Sequence, residues 1–377
     1  MENCSDFLPW LGPDVSIKIL LNLDDPVDLV RASAVSRAWH EFVIANGFCK
    51  NLCLRMFPVI SMVANVIELN NMTKPFEVGS NSSLEWGSLK RDHRVYALLA
   101  HSFTSFRKKD CIVEAISASS TDNYPEESID NTLEPNDRIE QGVASYWSSK
   151  GESNPAVPET LTYRLVSGLC VLNEISIQPF QAFFQSGYPI YSAKAVQFRT
   201  GYLKEPLEAG SDHMDEPSAS RRYVKDNFIS TYVSPEFPMA QENSLQKFKL
   251  PEPVLCIGGI LQVELLGRIQ RQEMDGLFYI CVSHVNVVGR PLSPTFDVEI
   301  LDQPGKSGKC ILKYDPNVEC CRSPARSSEG ESSVPSRLRV FRLMQRGVRG
   351  WEQMIINTLL GNVAVDGDYE SDEELVA

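Results

Sequence analysis

Several groups of residues in this chain have the side chains for chemistry. His40, Cys49 and Cys53 lie close in sequence, and an imidazole with two thiolates would supply three of the four ligands of a tetrahedral zinc site. No second Cys or His pair follows at ligand spacing, so neither a metal nor any other cofactor is predicted. Cys320-Cys321 are adjacent in a polar segment and equally unaccompanied. Asp212, His213, Asp215 and Glu216 crowd a Gly/Pro/Ser-rich stretch. Their near-adjacency aims the side chains in different directions, and a solvated loop is the expectation. His284 stands near Cys281 in a strand-like run, but no Asp or Glu is placed to orient the imidazole as a catalytic base. Neither a phosphate-cradling loop nor a dinucleotide fingerprint occurs. No catalytic residue is therefore assigned, and the chain is expected not to be an enzyme.

What remains is binding chemistry, and its elements follow from pattern. In LPWLGPDVSIKILLNLDDPVDLVRASAVSRAWHEFVIANGF (8–48), Pro13 suits a first helical position and Asp14 the first turn. Val15, Ile19, Leu20 and Leu23 recur at helical spacing. Asp25 reads as an N-cap, with Pro26 and Asp28 in the opening turn of a second helix carrying Leu29, Val30 and Ala32. A third helix begins near Val35, aligns Val35, Trp39, Phe42 and Val43, and stops at Gly47. Three short helices bury too little to stand alone, so some of these apolar faces must meet a neighbour or a partner.

The order Leu11-Gly12-Pro13-Asp14, Ile19-Leu20, Leu23, Asp28-Leu29, Val35-Ser36-Arg37 and Trp39 resembles an F-box. The family's Leu-Pro-x-Glu opening is met loosely, by Leu8-Pro9 or by Leu11 to Asp14. Its Cys/Ser–basic–Trp feature is met by Ser36-Arg37-Ala38-Trp39. The resemblance implies docking on the Skp adaptor of a cullin–RING ubiquitin ligase, through Leu11, Pro13, Ile19, Leu20, Leu23, Leu29, Val35 and Trp39. The rest of the chain would then present a protein substrate, bare or modified.

The fold class expected is α+β and multidomain. A helical module over 1–57 leads to a helical platform over 58–109, where ISMVANVIEL and LEWGSLKRDHRVYALLAHSF read as mostly helical around a turn-rich break at 73–83. From about Ile112 the pattern becomes extended, and an antiparallel β-sandwich is expected over 110–303. Leu261, Val263 and Leu265 alternate with Gln262 and Glu264, and LTYRLV (161–166) alternates likewise. Gly258-Gly259 suits a bulge or a close backbone approach. ASSTDNYPEESIDNTL, then SYWSSKG, then PETLTYRLVSGLCVLNEISIQP resembles the opening of a discoidin-like, galactose-binding-like jelly roll, in which Trp147 would pack inward rather than serve as a stacking platform. The whole arrangement is similar to a plant family that joins an F-box to such a domain. Jelly rolls of this kind bind through loops at one end. Here PFQAFFQSGYPIYS offers Phe183, Phe184, Tyr188 and Tyr191 as recognition residues or as caps of the open core. Beyond the sandwich come a flexible linker (323–336), a C-terminal helix (337–361) and a disordered acidic tail (366–377).

The bulk numbers are consistent with this. Among 377 residues, 43% are hydrophobic and 23% charged, as in ordinary globular protein. A formal net charge of −13 disfavours nucleic-acid binding. No run of about twenty apolar residues suggests a membrane span, and no signal peptide is read at the N-terminus. Ten scattered cysteines read as free buried thiols of a reducing compartment, cytoplasm or nucleus. The leading function is substrate receptor in a ubiquitin ligase. A lectin-like carbohydrate-binding protein is the alternative, and a hydrolase built on a jelly roll is a third.

Overall fold

The computed structural model describes residues 7–69, 81–104, 108–135, 145–205, 217–301 and 308–318. The linker, C-terminal helix and acidic tail expected after 322, the group Asp212, His213, Asp215 and Glu216, and the pair Cys320-Cys321 all lie outside the described residues.

Five short helices open the chain: α1 (Phe7–Leu11), α2 (Pro13–Leu21), α3 (Pro26–Ser33), α4 (Arg37–Ala45) and α5 (Phe48–Met56). Their ends are set by local chemistry. The Asp25 carboxylate accepts a hydrogen bond from Val27 N at 2.8 Å, and Ser36 Oγ accepts one from Trp39 N at 3.2 Å. These two caps satisfy amides that the first turns of α3 and α4 leave free. α4 begins at Arg37, near the expected start, so that Val35 lies just before the helix. Gly47, at φ +59°, turns the chain from α4 into α5. From α5, Arg55 donates to Leu23 O at 2.6 Å and to Leu21 O, closing the C-terminal end of α2.

A 3₁₀ turn (Pro58–Met62) leads to strand β1 (Val63–Glu68), and α6 (Asn81–Thr104) follows. The helical reading of ISMVANVIEL is corrected here. Val63, Val66 and Ile67 are β-branched, and their partner strand comes from far along the chain, so tertiary pairing overrides the apparent period. That partner is β15 (Lys309–Tyr314), parallel to β1 and antiparallel to β14 (Phe296–Leu301). An expected sandwich limit at 303 falls between β14 and β15, inside this small sheet.

The sandwich strands are β2 (Lys109–Asp110), β3 (Ile112–Ala118), β4 (Trp147–Ser148), β5 (Glu159–Leu165), β6 (Leu169–Gln181), β7 (Ile190–Tyr191), β8 (Ala193–Leu203), β9 (Phe228–Val233), β10 (Phe237–Pro238), β11 (Gln246–Ile257), β12 (Ile260–Arg268) and β13 (Cys281–Pro291), with helix α7 (Pro217–Asn227) before β9. One sheet runs β10-β8-β12-β5-β3 with β9 on β8; the other runs β11-β6-β13-β2 with β4 and β7 at its margins. Successive long strands alternate between the sheets, in the manner of a jelly roll. The predicted alternation holds: Leu261, Val263 and Leu265 are fully buried, against Phe198, Tyr163, Ile175 and Ile177. Trp147 is fully buried, and its indole N–H donates to Ser120 O at 3.0 Å. Gly258 and Gly259, at φ +96° and +69°, make the two-residue turn by which the chain passes from β11 in one sheet to β12 in the other, rather than a bulge. A Cβ on Gly258 would stand 2.2 Å from Tyr202 Cβ, so the close approach is real.

Two ends of the sandwich differ. Where β6 starts and β11 and β13 finish, Leu169, Val171, Leu255, Ile257 and Leu292 join one apolar core with Leu20, Val43, Leu52, Val95, Leu99 and Phe103 of the helices. At the other end, among the described residues, loops and one 3₁₀ turn (Ile129–Leu133) emerge from the strands.

Candidate functional site

At the helical pole, burial divides the residues expected to meet an adaptor. Leu20 (3% exposed), Leu29 and Trp39 are core, and Leu23 is half-buried. Leu11, Pro13, Ile19 and Val35 lie on the surface, Val35 at 64% exposure. The expected apolar face of α2 is thus split. Ser16 and Leu20 point inward, Ser16 Oγ reaching Leu8 O at 3.5 Å, while Val15 and Ile19 point outward. Val15 and Ile19, four residues apart, share one side of α2; Val27 and Val30, three apart, share one side of α3. With Trp10 at 84% exposure, seven large apolar side chains between residues 10 and 35 face solvent. Scattered exposed apolar residues are ordinary; here they are concentrated on and between three short helices. Trp10 and Val27 were not singled out by sequence reasoning, and Val30 was read as an apolar residue of its helix but not as a contact; periodicity finds an apolar stripe but does not say which stripe is inward.

At the loop pole the segment between β6 and β7 holds aromatic rings outward. Phe183, Phe184 and Tyr188 are 54%, 59% and 59% exposed, whereas Tyr191 is 3% exposed and belongs to a small end core with Tyr146, Phe180, Ala182 and Cys281. Of the four expected recognition residues, the structure groups three on the surface and places the fourth beneath them. The loop spends its polar groups on itself. Gln185 N donates to Ala182 O at 3.0 Å, Tyr188 N to Gln185 O at 3.1 Å, and Gln181 Nε2 to Tyr188 O at 3.1 Å. Gly187 and Tyr188 both take positive φ, +78° and +50°, to make the turn. Phe183 and Tyr188 lie 6.2 Å apart between ring centroids, and Phe184 lies 6.3 Å from the buried Phe180.

Beside this loop, Tyr191 meets Tyr279 edge-on at 6.4 Å, and the Tyr279 hydroxyl donates to Asp275 Oδ2 at 2.5 Å. That bond, with one from Leu277 N, holds the Asp275 carboxyl below the usual range. Asp122 is pushed the other way, by burial first and by the Asp275 charge second. Beneath these loops lies a buried ion pair that sequence reasoning missed. Arg268 Nη2 pairs with Glu159, both within the protein, and Arg268 Nη1 donates to Ser149 Oγ at 2.9 Å, Lys150 O at 2.8 Å and Phe278 O at 3.0 Å. Glu159 in turn accepts from Ser119 and from Ser120 Oγ, the latter at 2.7 Å. One guanidinium thereby ties three loops of this pole to each other. Nothing in the pattern around Arg268, at the end of a regular strand, signals a buried charge.

Among the described residues, those weighed for catalysis or metal binding do not converge. His40 is exposed on α4, whereas Cys49 and Cys53 are sealed in the core, Cys53 Sγ donating to Tyr96 O at 3.3 Å. Burial pushes the Cys49 thiol up to about 12, so it is neither a ready ligand nor a nucleophile. The Cys281 thiol is likewise pushed up to about 12 by burial. His284 Nδ1 lies 2.9 Å from Thr132 O, a bond within the sandwich. Among the described residues no cluster of three His, Cys, Asp or Glu side chains suits a metal ion, and no helix is long and apolar enough to cross a membrane.

A family model described as F-box-like matches residues 13–55, which spans α2 to α5. An F-box protein of Arabidopsis thaliana is 51% identical over 315 residues, covering 82% of this chain and 83% of its own. Among solved structures, a family 32 carbohydrate-binding module of Clostridium perfringens, in complex with galactose, is similar at 12% identity and a TM-score of 0.31, over 48% of this chain and 99% of its own. A fucolectin from striped bass is similar at 11% identity and a TM-score of 0.32, over 50% of each chain.

Proposed function

This chain belongs to the F-box proteins, and from that premise we propose that it is the substrate-receptor subunit of a cullin–RING ubiquitin ligase. The observation that carries the proposal is the outward apolar surface of α1 to α3. Leu11, Val15, Ile19, Val27, Val30 and Val35, with Trp10 beside them, form the contact for a Skp-type adaptor, which links the chain to the cullin scaffold. Buried Leu20, Leu29 and Trp39 hold the helices that present this surface. Pro13 starts α2 and sets its direction.

The substrate, a protein either bare or modified, is received at the loop pole. Phe183, Phe184 and Tyr188 supply rigid apolar anchors there, and aromatic anchors tend to dominate interface energetics. Tyr191 supports them from below. The chain needs no chemistry of its own: it supplies proximity, holding a substrate lysine near a ubiquitin-loaded partner enzyme. The reading places the protein in the cytoplasm, the nucleus or both. The second reading, a carbohydrate-binding sandwich, draws on the same rings, since exposed aromatic faces beside the carboxylates of Asp122 and Asp275 offer stacking and hydrogen bonds to a sugar. The two are compatible when the receptor reads a glycan on its substrate.

The test is affinity capture from plant extract with three forms of the full chain. The unaltered chain is expected to retain the adaptor and a set of further proteins. An Ile19→Glu/Val30→Glu form should lose the adaptor and keep the others; a Phe184→Ala/Tyr188→Ala form should do the reverse. Adaptor retention by the first variant would refute the docking surface, and an unchanged protein set with the second would refute the recognition loop. Selective capture of glycan-bearing proteins, abolished by enzymatic deglycosylation, would favour the second reading.

A further inference from the structure

Where the helices meet the sandwich, a cavity of about 280 Å³ opens. Phe57, at the end of α5, and Phe103, near the end of α6, form one wall with their rings edge-to-face at 4.6 Å. Val171 of β6 and Pro253 of β11 form the facing wall. Glu252 stands at the exposed rim. Two polar side chains, Asn173 and Arg290, complete the lining.

Regular pairing does not account for the hollow. Opposite Asn173, β11 passes from Lys249, paired with Glu174, to Val254, paired with Leu172, so that four residues face one. On its other side β13 steps from Val288 to Gly289 across the same pair, again leaving Asn173 without a partner residue. The central strand thus breaks register with both neighbours at one point, and such irregularities recur where a sheet is shaped around a site. The polar atoms agree. Asn173 Oδ1 and Arg290 Nε are both buried and neither has a hydrogen-bond partner. Unpaired buried polar atoms are rare and costly to a fold. Arg290 is anchored by Nη1, which donates to Ser102 O at 3.2 Å and to Phe103 O at the end of α6. That leaves Nε, on the fork edge it shares with Nη2, unpaired. Burial also pulls the guanidinium below its ordinary range, as expected for a cation without a counter-charge.

We propose that this cavity is a binding site for a small apolar monocarboxylic acid. The carboxylate takes the Nε edge of Arg290, the geometry for which a guanidinium is suited. A hydroxyl or amide N–H on the ligand donates to Asn173 Oδ1, and an aryl-sized body fills the space between Phe57, Phe103, Val171 and Pro253. The volume equals that of about nine waters, room for a body of about a dozen non-hydrogen atoms. Glu252 at the rim repels a second acid group, so monoacids are favoured over diacids. Since the walls come from α5, α6 and the sandwich, an occupant braces the junction between the adaptor-binding and substrate-binding halves. This inference is independent of which substrate the loop pole receives.

The experiment is calorimetric titration of the purified full chain with 3-phenyllactate, its uncharged amide, and 3-phenylpropanoate, which lacks the hydroxyl. Phenyllactate should bind saturably with a dissociation constant on the order of 0.1–1 mM. Its amide should bind at least about tenfold more weakly, the loss expected of a missing charge-assisted pair. Arg290→Lys retains a donor for the α6 carbonyls but lacks the fork, and should lose the preference for the acid. Asn173→Ala should bind phenyllactate and phenylpropanoate alike, with melting temperature preserved in both variants. Equal binding of acid and amide, no saturable binding of either, or unchanged affinity in the Asn173→Ala chain would each overturn the proposal. Should Arg290→Lys fail to fold, the Asn173→Ala comparison decides alone.

Discussion

Adjacent residues on α2 make the separation of stability from binding testable. Leu20 is core and Ile19 is surface. Leu20→Ala should cost about 2–5 kcal/mol in denaturant unfolding, through lost burial and the cavity left behind. Ile19→Ala should stay within about 0.5 kcal/mol. Equal effects would contradict the assignment of Leu20 to the core and Ile19 to the surface. The second residue-scale prediction concerns Arg268. Removing it strands Glu159 in the interior, so Arg268→Ala should lower stability by about 3–5 kcal/mol, read by urea unfolding. A loss under about 1 kcal/mol would show that water reaches the pair. His93 gives a pH dependence. Burial, and secondarily the nearby His40 charge, lower its pKa below the ordinary 6.5. The unfolded chain therefore takes up this proton first as pH falls. Stability is fully present above about pH 6.5 and declines below it, down to the lowered folded-state value. Melting temperatures between about pH 7.5 and 5.5 should fall in the unaltered chain and fall less in His93→Gln.

At the scale of elements, β15 is the piece whose role is least apparent from its place in the chain. Among the described residues it is the only partner strand of β1, and it also pairs β14. A chain ending at Leu301 loses the buried side chains of Cys310, Leu312 and Tyr314, worth about 5 kcal/mol or more in sum. It should melt well below a chain ending at Asn317, when both are followed by circular dichroism. Coincident melting would show that β15 is dispensable. The elements also show what sequence makes legible. Asp25 announced α3 because a cap is a local hydrogen bond, whereas the equivalent cap by Ser36 on α4 was not read from the sequence. The alternation in β12 announced a half-buried strand because its period is local too. β1 was read as helix because its deciding partner lies more than 240 residues away, and no local pattern records it.

Across the whole molecule, the same division governs the candidate surfaces. That Phe183, Phe184 and Tyr188 form a loop cluster was legible from Gly187 and Pro189 between two strands. That Tyr191 turns inward was not, because its burial depends on Phe180, Tyr146 and Tyr279 from separate segments. Likewise the F-box helices were legible as apolar, while their outward face is fixed only by packing onto α5 and α6. The exposed apolar helices share one core with the near end of the sandwich through Leu169, Val171 and Phe296, while the aromatic loop rests on a separate small core at the other end. A receptor that must hold substrate at a fixed distance from a ligase scaffold requires such a rigid junction.

The central claim is that the outward face of α2 and α3 docks a Skp-type adaptor, and one titration addresses it most directly. Purified full chain is titrated with purified adaptor, alongside an Ile19→Glu/Val30→Glu chain of unchanged melting temperature. The account predicts saturable one-to-one binding by the unaltered chain and at least about a hundredfold weaker binding by the variant, since each charge is buried without a partner in the complex. Absence of binding by the unaltered chain, or equal affinity of the two, would contradict it.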